Sequence, residues 1–155
     1  MIRPATREDL GELGELEKVC FSDPWSLSGL ELALSCPHQQ LWCAWENETL
    51  AGFLCLQALA GEGEILRIGV LPPYRRLGLG RELMNHAHRQ IRRLFPQAPI
   101  YLEVRQSSTP ARCLYESLGY EFQGMRRAYY RRPTEDAALY LYPAPKEPTD
   151  EDISH

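Results

Sequence analysis

The chain has 155 residues, of which 44% are hydrophobic and 25% charged, and a formal net charge of −4 at pH 7. This length suits one domain, and the composition is that of a globular protein rather than a disordered or fibrous one. No apolar run reaches the ~18 residues of a spanning helix, and the N-terminus lacks a signal-peptide segment. We therefore expect a cytoplasmic protein without a membrane partner. Residues 143–155 contribute −3 of the net charge, so the rest of the chain is close to neutral, at −1. This near balance argues against direct binding to nucleic acid.

Cysteine and histidine usage predicts neither disulfides nor a metal site. The cysteines are odd in number and form no C-x-x-C pair, so we expect reduced thiols in or near the core, at Cys20, Cys36, Cys43, Cys55 and Cys113. No histidine lies near Cys113 in sequence to activate it as a nucleophile. His86 and His88 are two residues apart and cannot share a helix face, which argues against a shared metal ion.

Hydrophobic periodicity predicts seven strands and four helices, in the order β-α-α-β-β-β-α-β-α-β-β. The predicted strands cover residues 2–5, 41–45, 50–59, 64–70, 100–104, 121–130 and 137–142. The three strands after the second helix indicate an antiparallel meander, with turns at 47–48 and 61–63. A long helix then joins the strands at 64–70 and 100–104, which predicts a parallel β-α-β crossover.

Capping residues and apolar spacing predict the helix boundaries and their buried faces. Thr6 with Asp9 opens the first helix, Ser26 or Ser28 opens the second, and Ser108 opens the fourth, which Gly119 ends. The predicted core positions of the first and third helices are Leu10, Leu13, Leu16, Val19, Leu79, Leu83, Ala87, Ile91 and Leu94. From residue 143 onward, prolines and four acids against one lysine predict a disordered tail after a catalytic domain at 1–142.

The segment at 70–81, Val-Leu-Pro-Pro-Tyr-Arg-Arg-Leu-Gly-Leu-Gly-Arg, lies between a predicted strand and the long helix. The free N–H groups and the dipole of a helix N-terminus suit a pyrophosphate, and the two glycines let an anion approach the backbone. The segment lacks the Lys-Ser/Thr ending of a P-loop and the third glycine of a dinucleotide fingerprint. It therefore predicts a phosphate-binding loop of another kind.

Arg75-x-x-Gly78-x-Gly80 after a strand resembles the acetyl-CoA loop of the GCN5-related N-acetyltransferase (GNAT) superfamily, and the element order matches that fold over nearly the whole chain. Further segments are similar to the bacterial ribosomal-protein alanine N-acetyltransferases, namely Pro24-Trp25-Ser26, 102–105, 114–120 and Tyr129-Tyr130. Ser108 stands where that subfamily usually carries asparagine. The resemblance implies an α/β GNAT fold with a mixed, mostly antiparallel sheet, helices on both faces, and acetyl-CoA as cosubstrate.

The resemblance also implies the site residues. Cosubstrate contacts are expected at Ile68, Gly69, Val70, Arg75, Arg76, Leu77, Gly78, Leu79, Gly80 and Arg81. Attack by an amine needs a base for its proton and an acid for the departing thiolate, and the resemblance assigns these roles to Glu103 and Tyr115. Strand alternation puts Glu103 on the face opposite Leu102 and Val104. Trp25 and Tyr129-Tyr130 are expected to line the acceptor groove.

The implied acceptor is a protein N-terminal α-amine, in particular the N-terminal alanine of a small-subunit ribosomal protein. Two alternatives stay open at this point: acetylation of a small amine, such as a polyamine or an amino sugar, and a non-catalytic module that only binds coenzyme A. The presence of both Glu103 and Tyr115 favours an enzyme over the binding module. Neither residue distinguishes a peptide acceptor from a small amine.

Overall fold

The computed structural model describes residues 1–145 and contains the predicted elements in the predicted order. The strands are β1 (Ile2–Pro4), β2 (Gln39–Glu46), β3 (Thr49–Leu59), β4 (Glu62–Val70), β5 (Ile100–Arg105), β6 (Glu121–Tyr130) and β7 (Glu135–Tyr142). The helices are α1 (Leu10–Cys20), α2 (Leu27–Ser35), α3 (Leu79–Leu94) and α4 (Thr109–Ser117), with 3-10 turns at Arg7–Asp9 and Pro72–Tyr74. Most of the predicted tail, residues 146–155, lies outside the described residues.

All seven strands form one sheet in the order β1-β2-β3-β4-β5-β7-β6. Every neighbouring pair is antiparallel except β4 and β5, which confirms the predicted meander and parallel crossover. The parallel pairing covers only Gly63 to Ile65 opposite Ile100 to Leu102. Beyond these residues β4 and β5 have no paired positions, so the sheet parts between them.

The parting begins at a β-bulge in β4. Ile65 pairs with Leu56 of β3 and Arg67 pairs with the adjacent Cys55, so Leu66 is an extra residue without a partner. An extra residue bends its strand and changes which side chains face each side of the sheet. The bulge therefore explains why β4 leaves β5 at this position.

Helices cover both faces of the sheet and enclose two apolar cores. The first core lies on the sheet face that α3 and α4 cover. There Leu83, Ala87 and Ile91 of α3 pack with Leu54 of β3 and Ile100 of β5. The second core, on the other face, joins α1 and α2 to β2 and β3 through Leu13, Leu16, Leu30, Cys43 and Phe53. Within residues 1–145 no helix combines the length and the apolar character needed to cross a bilayer.

The buried face of α1 differs from the prediction at two positions. Leu10, Leu13 and Leu16 are buried as predicted, but Val19 is 56% exposed and Glu17 is completely buried. Each step of three residues falls short of a full turn by about 60°, so Val19 lies on the opposite side from Leu10. Glu17, seven residues after Leu10, returns to the buried side. The prediction of Val19 as a core residue was therefore wrong.

Other differences are local. Ser26 rather than Ser28 caps α2, because its Oγ accepts the N–H of Gly29 at 3.1 Å. The β3–β4 turn is centred on Ala60 and Gly61, which both have positive φ, and Gly63 belongs to β4. A Cβ on Gly63 would lie 2.6 Å from the Ile91 side chain, so glycine there lets α3 approach the sheet.

Two further core predictions need correction. Leu94 is 56% exposed at the end of α3, whereas Met84 of the same helix is fully buried. Cys113 is exposed, contrary to the prediction of a core or near-core thiol. Cys43 and Cys55 are buried, and burial raises the pKa of each thiol to about 12. All five cysteines are free, in line with the prediction of reduced thiols.

A buried ion pair joins α1 to β4. Arg67 donates from Nε and Nη2 to the two carboxylate oxygens of Glu17, at 2.9 and 2.7 Å. Glu17 also accepts the N–H of Trp25 at 2.9 Å, and Arg67 donates to the carbonyl of Asp23 at 2.7 Å. The guanidinium lies 3.7 Å from the centre of the Phe21 ring. The pair therefore fixes the loop between α1 and α2 against β4.

We predict that Glu17→Ala lowers the free energy of unfolding by about 3–5 kcal/mol, because it leaves a largely buried guanidinium without its carboxylate. Glu15→Ala is the matched control on the same helix. Glu15 is 75% exposed and pairs only with Lys18, so its loss should cost less than about 1 kcal/mol. Urea unfolding followed by circular dichroism measures both values, and equal small losses would contradict the prediction.

Candidate active site

A cavity of about 480 Å³ opens where β4 and β5 part. Its walls come from these two strands, the α1–α2 loop, α4 and the end of β6. Six of the residues singled out in the sequence line it together: Trp25, Ile68, Glu103, Tyr115, Tyr129 and Tyr130. Residues up to 105 positions apart in sequence thus share one site.

The main chain of β4 forms one edge of this cavity. The N–H of Leu71 donates to the carbonyl of Ala51 on β3 at 2.8 Å. Because main-chain groups alternate in direction along a strand, Gly69 faces β3, while Ile68 and Val70 point away from it toward the parting. Of the three β4 residues predicted to bind the pantetheine arm, the alternation therefore favours Ile68 and Val70. At Gly69 a Cβ would lie 2.7 Å from the Phe53 ring, so this glycine serves packing.

The predicted phosphate-binding loop precedes α3. Gly78 caps the helix with φ +85°, a left-handed conformation that favours glycine. The first helical hydrogen bond runs from the N–H of Glu82 to the carbonyl of Gly78 at 3.0 Å, so the earlier N–H groups of α3 have no intrahelical acceptor. A Cβ on Gly80 would lie 3.3 Å from Leu114, so Gly80 also lets α4 approach α3. The loop thus offers free donors at the positive end of the helix dipole.

The three arginines of the loop differ in what holds them. Arg75 donates to the carbonyl of Val70 at 2.8 Å, and Arg81 donates to the hydroxyl of Ser117 on α4 at 2.8 Å. Arg76, with φ +66°, has no side-chain hydrogen bond or ion pair to any residue in the described part of the chain. Arg76 is consequently the loop cation that is most available to an anionic ligand.

Two carboxylates lie on the cavity wall next to the point where β4 and β5 part. Glu103 is 22% exposed and forms an ion pair with Arg126 of β6 at 3.1 Å. Glu64, which the sequence analysis did not select, also lines the cavity. Burial, followed by the nearby charge of Glu103, raises the pKa of Glu64. The register of β4 on β5 would have identified Glu64, but strand pairing is not visible in the sequence.

Tyr115 reaches the cavity from α4 with a buried ring. It packs against Tyr120 and Tyr140, with ring centres 6.0 and 6.4 Å away. Burial raises the pKa of Tyr115 well above its ordinary value, so the hydroxyl keeps its proton throughout the neutral range. Tyr130 lines the same cavity, and burial and then the charge of Glu103 raise its pKa to about 12. Both hydroxyls are therefore proton donors at neutral pH.

Arg105 connects the two loops at the mouth of the cavity. Its Nη2 donates to Ser22 Oγ at 3.1 Å and to the carbonyl of Arg131 at 2.8 Å, and its Nη1 donates to the carbonyl of Pro133 at 2.9 Å. The guanidinium lies 4.7 Å from the centre of the Tyr130 ring. Strand alternation puts Arg105 on the same face as Glu103 but predicts none of these contacts. Its role in joining the α1–α2 loop to the β6–β7 hairpin depends on contacts that span more than 80 residues.

Ser108 caps α4 and lines the cavity. Its hydroxyl makes no capping hydrogen bond, so it can contact a ligand. Among residues 1–145, no three His, Cys, Asp or Glu side chains gather in a way that could hold a metal ion. The polar groups that line the cavity are carboxylates, tyrosines, arginines and main-chain groups.

Residues 10–120 match the family model described as "Acetyltransferase (GNAT) family", and the chain belongs to this family. Among its relatives, the N-alpha-acetyltransferase RimI of Mycobacterium tuberculosis is 35% identical over 138 residues, or 85% of each chain. The [ribosomal protein bS18]-alanine N-acetyltransferase of Escherichia coli K12 is 40% identical over 102 residues, or 63% of this chain and 67% of that protein.

Solved structures agree with this assignment. The crystal structure of the ribosomal-protein-S18-alanine N-acetyltransferase from Escherichia coli superposes with a TM-score of 0.85 at 29% identity, covering 97% of both chains. The structure of Arabidopsis thaliana NAA60 in complex with acetyl-CoA has a TM-score of 0.81 at 19% identity and shows the same fold. The predicted superfamily, fold class and acetyltransferase class are confirmed, and with them acetyl-CoA as the cosubstrate. The roles of individual residues stay predictions.

We predict that Gly78→Val abolishes acetyl-CoA binding, because a β-branched residue strongly disfavours the left-handed conformation at the helix N-terminus. Gly61→Val is the matched control, since Gly61 has a similar φ of +79° in the β3–β4 turn. Both variants should lose about 1–2 kcal/mol of stability. Only Gly78→Val should lose affinity in calorimetric titration with acetyl-CoA. Equal affinities in the two variants would contradict the prediction that the loop before α3 binds acetyl-CoA.

Proposed function

We propose that this protein is a cytoplasmic N-α-acetyltransferase that transfers the acetyl group of acetyl-CoA to the N-terminal alanine of a small-subunit ribosomal protein. The observation that carries the proposal is the meeting of Glu103 and Tyr115 in one cavity beside the parted strands. The name of the Mycobacterium tuberculosis relative supports an α-amine as the acceptor, and the name of the Escherichia coli relative supports the alanine of a ribosomal protein.

Acetyl-CoA would supply the acetyl thioester, held by the loop before α3 and the free edge of β4. The N–H groups at the start of α3 and Arg76 would bind the pyrophosphate. The main chain of Ile68 and Val70 would bind the pantetheine arm. A main-chain N–H at Val70 would also stabilise the carbonyl oxygen as it gains negative charge.

Glu103 and Tyr115 would manage the protons of the reaction. Glu103 accepts a proton from the amine, directly or through water, and Tyr115 donates one to the departing thiolate. An α-amine has a pKa of ~7.7–8.0 against ~10.4 for lysine, so forming the neutral nucleophile at pH 7 costs about 1 kcal/mol rather than nearly 5. A single carboxylate is therefore sufficient for a peptide N-terminus.

Aromatic side chains surround the acceptor side of the cavity. Trp25 is fixed by the hydrogen bond of its N–H to Glu17, and Tyr130 by its contact with Arg105. Tyr129 packs edge-on against Tyr130, with ring centres 5.1 Å apart. Aromatic walls of this kind suit the extended end of a polypeptide.

We predict that Glu103→Gln and Tyr115→Phe each lower kcat by about 10²–10⁴-fold, because each removes one proton-transfer group. The matched controls are Glu121→Gln and Tyr101→Phe, two exposed residues on strands β6 and β5. Steady-state kinetics with an alanine peptide measures turnover, and calorimetry checks that acetyl-CoA still binds. Near-normal kcat in both active-site variants would contradict the assigned roles.

We predict that the acceptor is a free N-terminal alanine. A mass-spectrometric screen offers peptides that begin with alanine, serine or methionine, the same peptides with blocked N-termini and internal lysines, free polyamines and aminoglycosides. Acetylation should occur on free N-terminal alanine and only weakly on blocked peptides, because the lysine amine is harder to deprotonate. Preferential acetylation of the small amines would contradict a peptide acceptor.

A further inference from the structure

The charges around the cavity are almost completely paired. Three arginines flank it, and each has a carboxylate oxygen within 3.4 Å: Arg67 with Glu17, Arg105 with Asp23 and Glu135, and Arg126 with Glu103. Glu64 also lines the cavity, yet no cation lies within 4 Å of its carboxylate in the described part of the chain. Glu64 is thus the carboxylate of the cavity without a positive partner.

Glu64 lies close to the proposed base. In the parallel register Glu64 is opposite Tyr101, two residues before Glu103, so Glu64 and Glu103 project from the same face of the sheet. This is the face covered by α1 and α2, because Ile65, Leu102 and Val104 belong to the other core. The two carboxylates therefore border the acceptor side of the cavity, next to the point where the strands part.

The surroundings of Glu64 do not neutralise it. Glu103 on β5 and Glu62 on its own strand add negative charge, and Arg126 on β6, already paired with Glu103, opposes them only in part. Tyr129 of β6 faces the same group of charges. Burial is the main cause that raises the pKa of its hydroxyl, so Tyr129 stays neutral at pH 7. Glu64 is itself half-buried, and burial and Glu103 raise its pKa. A partly desolvated carboxylate without a partner gains most from an arriving cation.

The acceptor brings such a cation. An α-amine with a pKa of ~7.7–8.0 is mostly protonated at pH 7 and enters the site as an ammonium group. Glu103 is already held by Arg126, which leaves Glu64 as the available partner. We propose that Glu64 binds the α-ammonium group of the acceptor and selects acceptors that carry a positive charge on the reacting nitrogen. This inference rests on the proposed function and extends it by a specificity-determining residue.

Binding at Glu64 also orders the proton transfer. The ammonium donates a hydrogen bond to Glu64 while the neighbouring Glu103 takes one proton from the same nitrogen. The nitrogen keeps its two other hydrogens and gains the lone pair needed for attack, and one of these hydrogens leaves as a proton, to water, after the C–N bond has formed. Glu64 therefore acts on binding of the acceptor, whereas Glu103 acts on its deprotonation. Loss of Glu64 should thus raise KM for the peptide more than it lowers kcat.

The test compares a peptide that begins with alanine with its desamino counterpart, in which propionyl replaces alanyl. Calorimetry measures the Kd of each peptide for the protein saturated with CoA, so that no turnover occurs. A charge-assisted hydrogen bond corresponds to about 10–100-fold in affinity, and the wild type should prefer the ammonium peptide by this factor. Glu64→Gln should reduce the preference to within about threefold of unity, while Glu62→Gln, an exposed neighbour on the same strand, keeps it.

Glu64→Asp retains the charge and should restore part of the preference, which separates a charge effect from a loss of structure. An unchanged affinity for CoA shows that each variant is folded. The inference is overturned if Glu64→Gln keeps the full preference, or if it weakens both peptides equally. If the wild type acetylates only small amines, the peptide acceptor is refuted instead. The same comparison, made with that amine and its desamino analogue, then decides whether Glu64 binds the ammonium group.

Discussion

The ion pair between Glu17 and Arg67 is the contact on which the acceptor half of the site depends. It joins α1 to β4 and holds the loop that carries Asp23 and Trp25 against the cavity. Two buried charges are costly unless every lone pair and proton has a partner. Here the carboxylate accepts a third hydrogen bond, and the guanidinium makes a further one and stacks on Phe21. The pair is thus tolerated because its charged atoms have hydrogen-bond partners. The same hydrogen bonds also position the loop.

The bulge at Leu66 makes this contact possible. Without an extra residue, strict alternation would place Leu66 and Arg67 on opposite faces of the sheet. In the structure Leu66 packs in the core beneath α1 and α2, and Arg67 meets Glu17 on that same side. Ile68 then returns to the other core. The inserted Leu66 therefore parts β4 from β5. It also turns Arg67 toward Glu17, so that Arg67 can fix the α1–α2 loop.

Local patterns in the sequence predicted the elements and their order, because caps, turns and apolar spacing act over a few residues. The resemblance to a family selected Glu103 and Tyr115, and both line one cavity in the structure. Their catalytic roles stay predictions. Local patterns could not predict the ion pair of Glu17, since its partner Arg67 lies 50 residues away. Glu64 was missed for a similar reason, because its position depends on the register between β4 and β5. Both features depend on contacts between segments that are distant in sequence, and hydrophobic periodicity does not predict such contacts.

The geometry of Arg105 has a consequence for the two loops that it joins. One guanidinium holds three carbonyl or hydroxyl oxygens from two separate loops, which the fork of five donors on arginine allows. A lysine at this position has a single ammonium group at the end of a flexible stem and cannot span both loops in the same way. Exchange of this one arginine would therefore release both loops from each other, while the apolar cores and the loop before α3 keep all of their contacts.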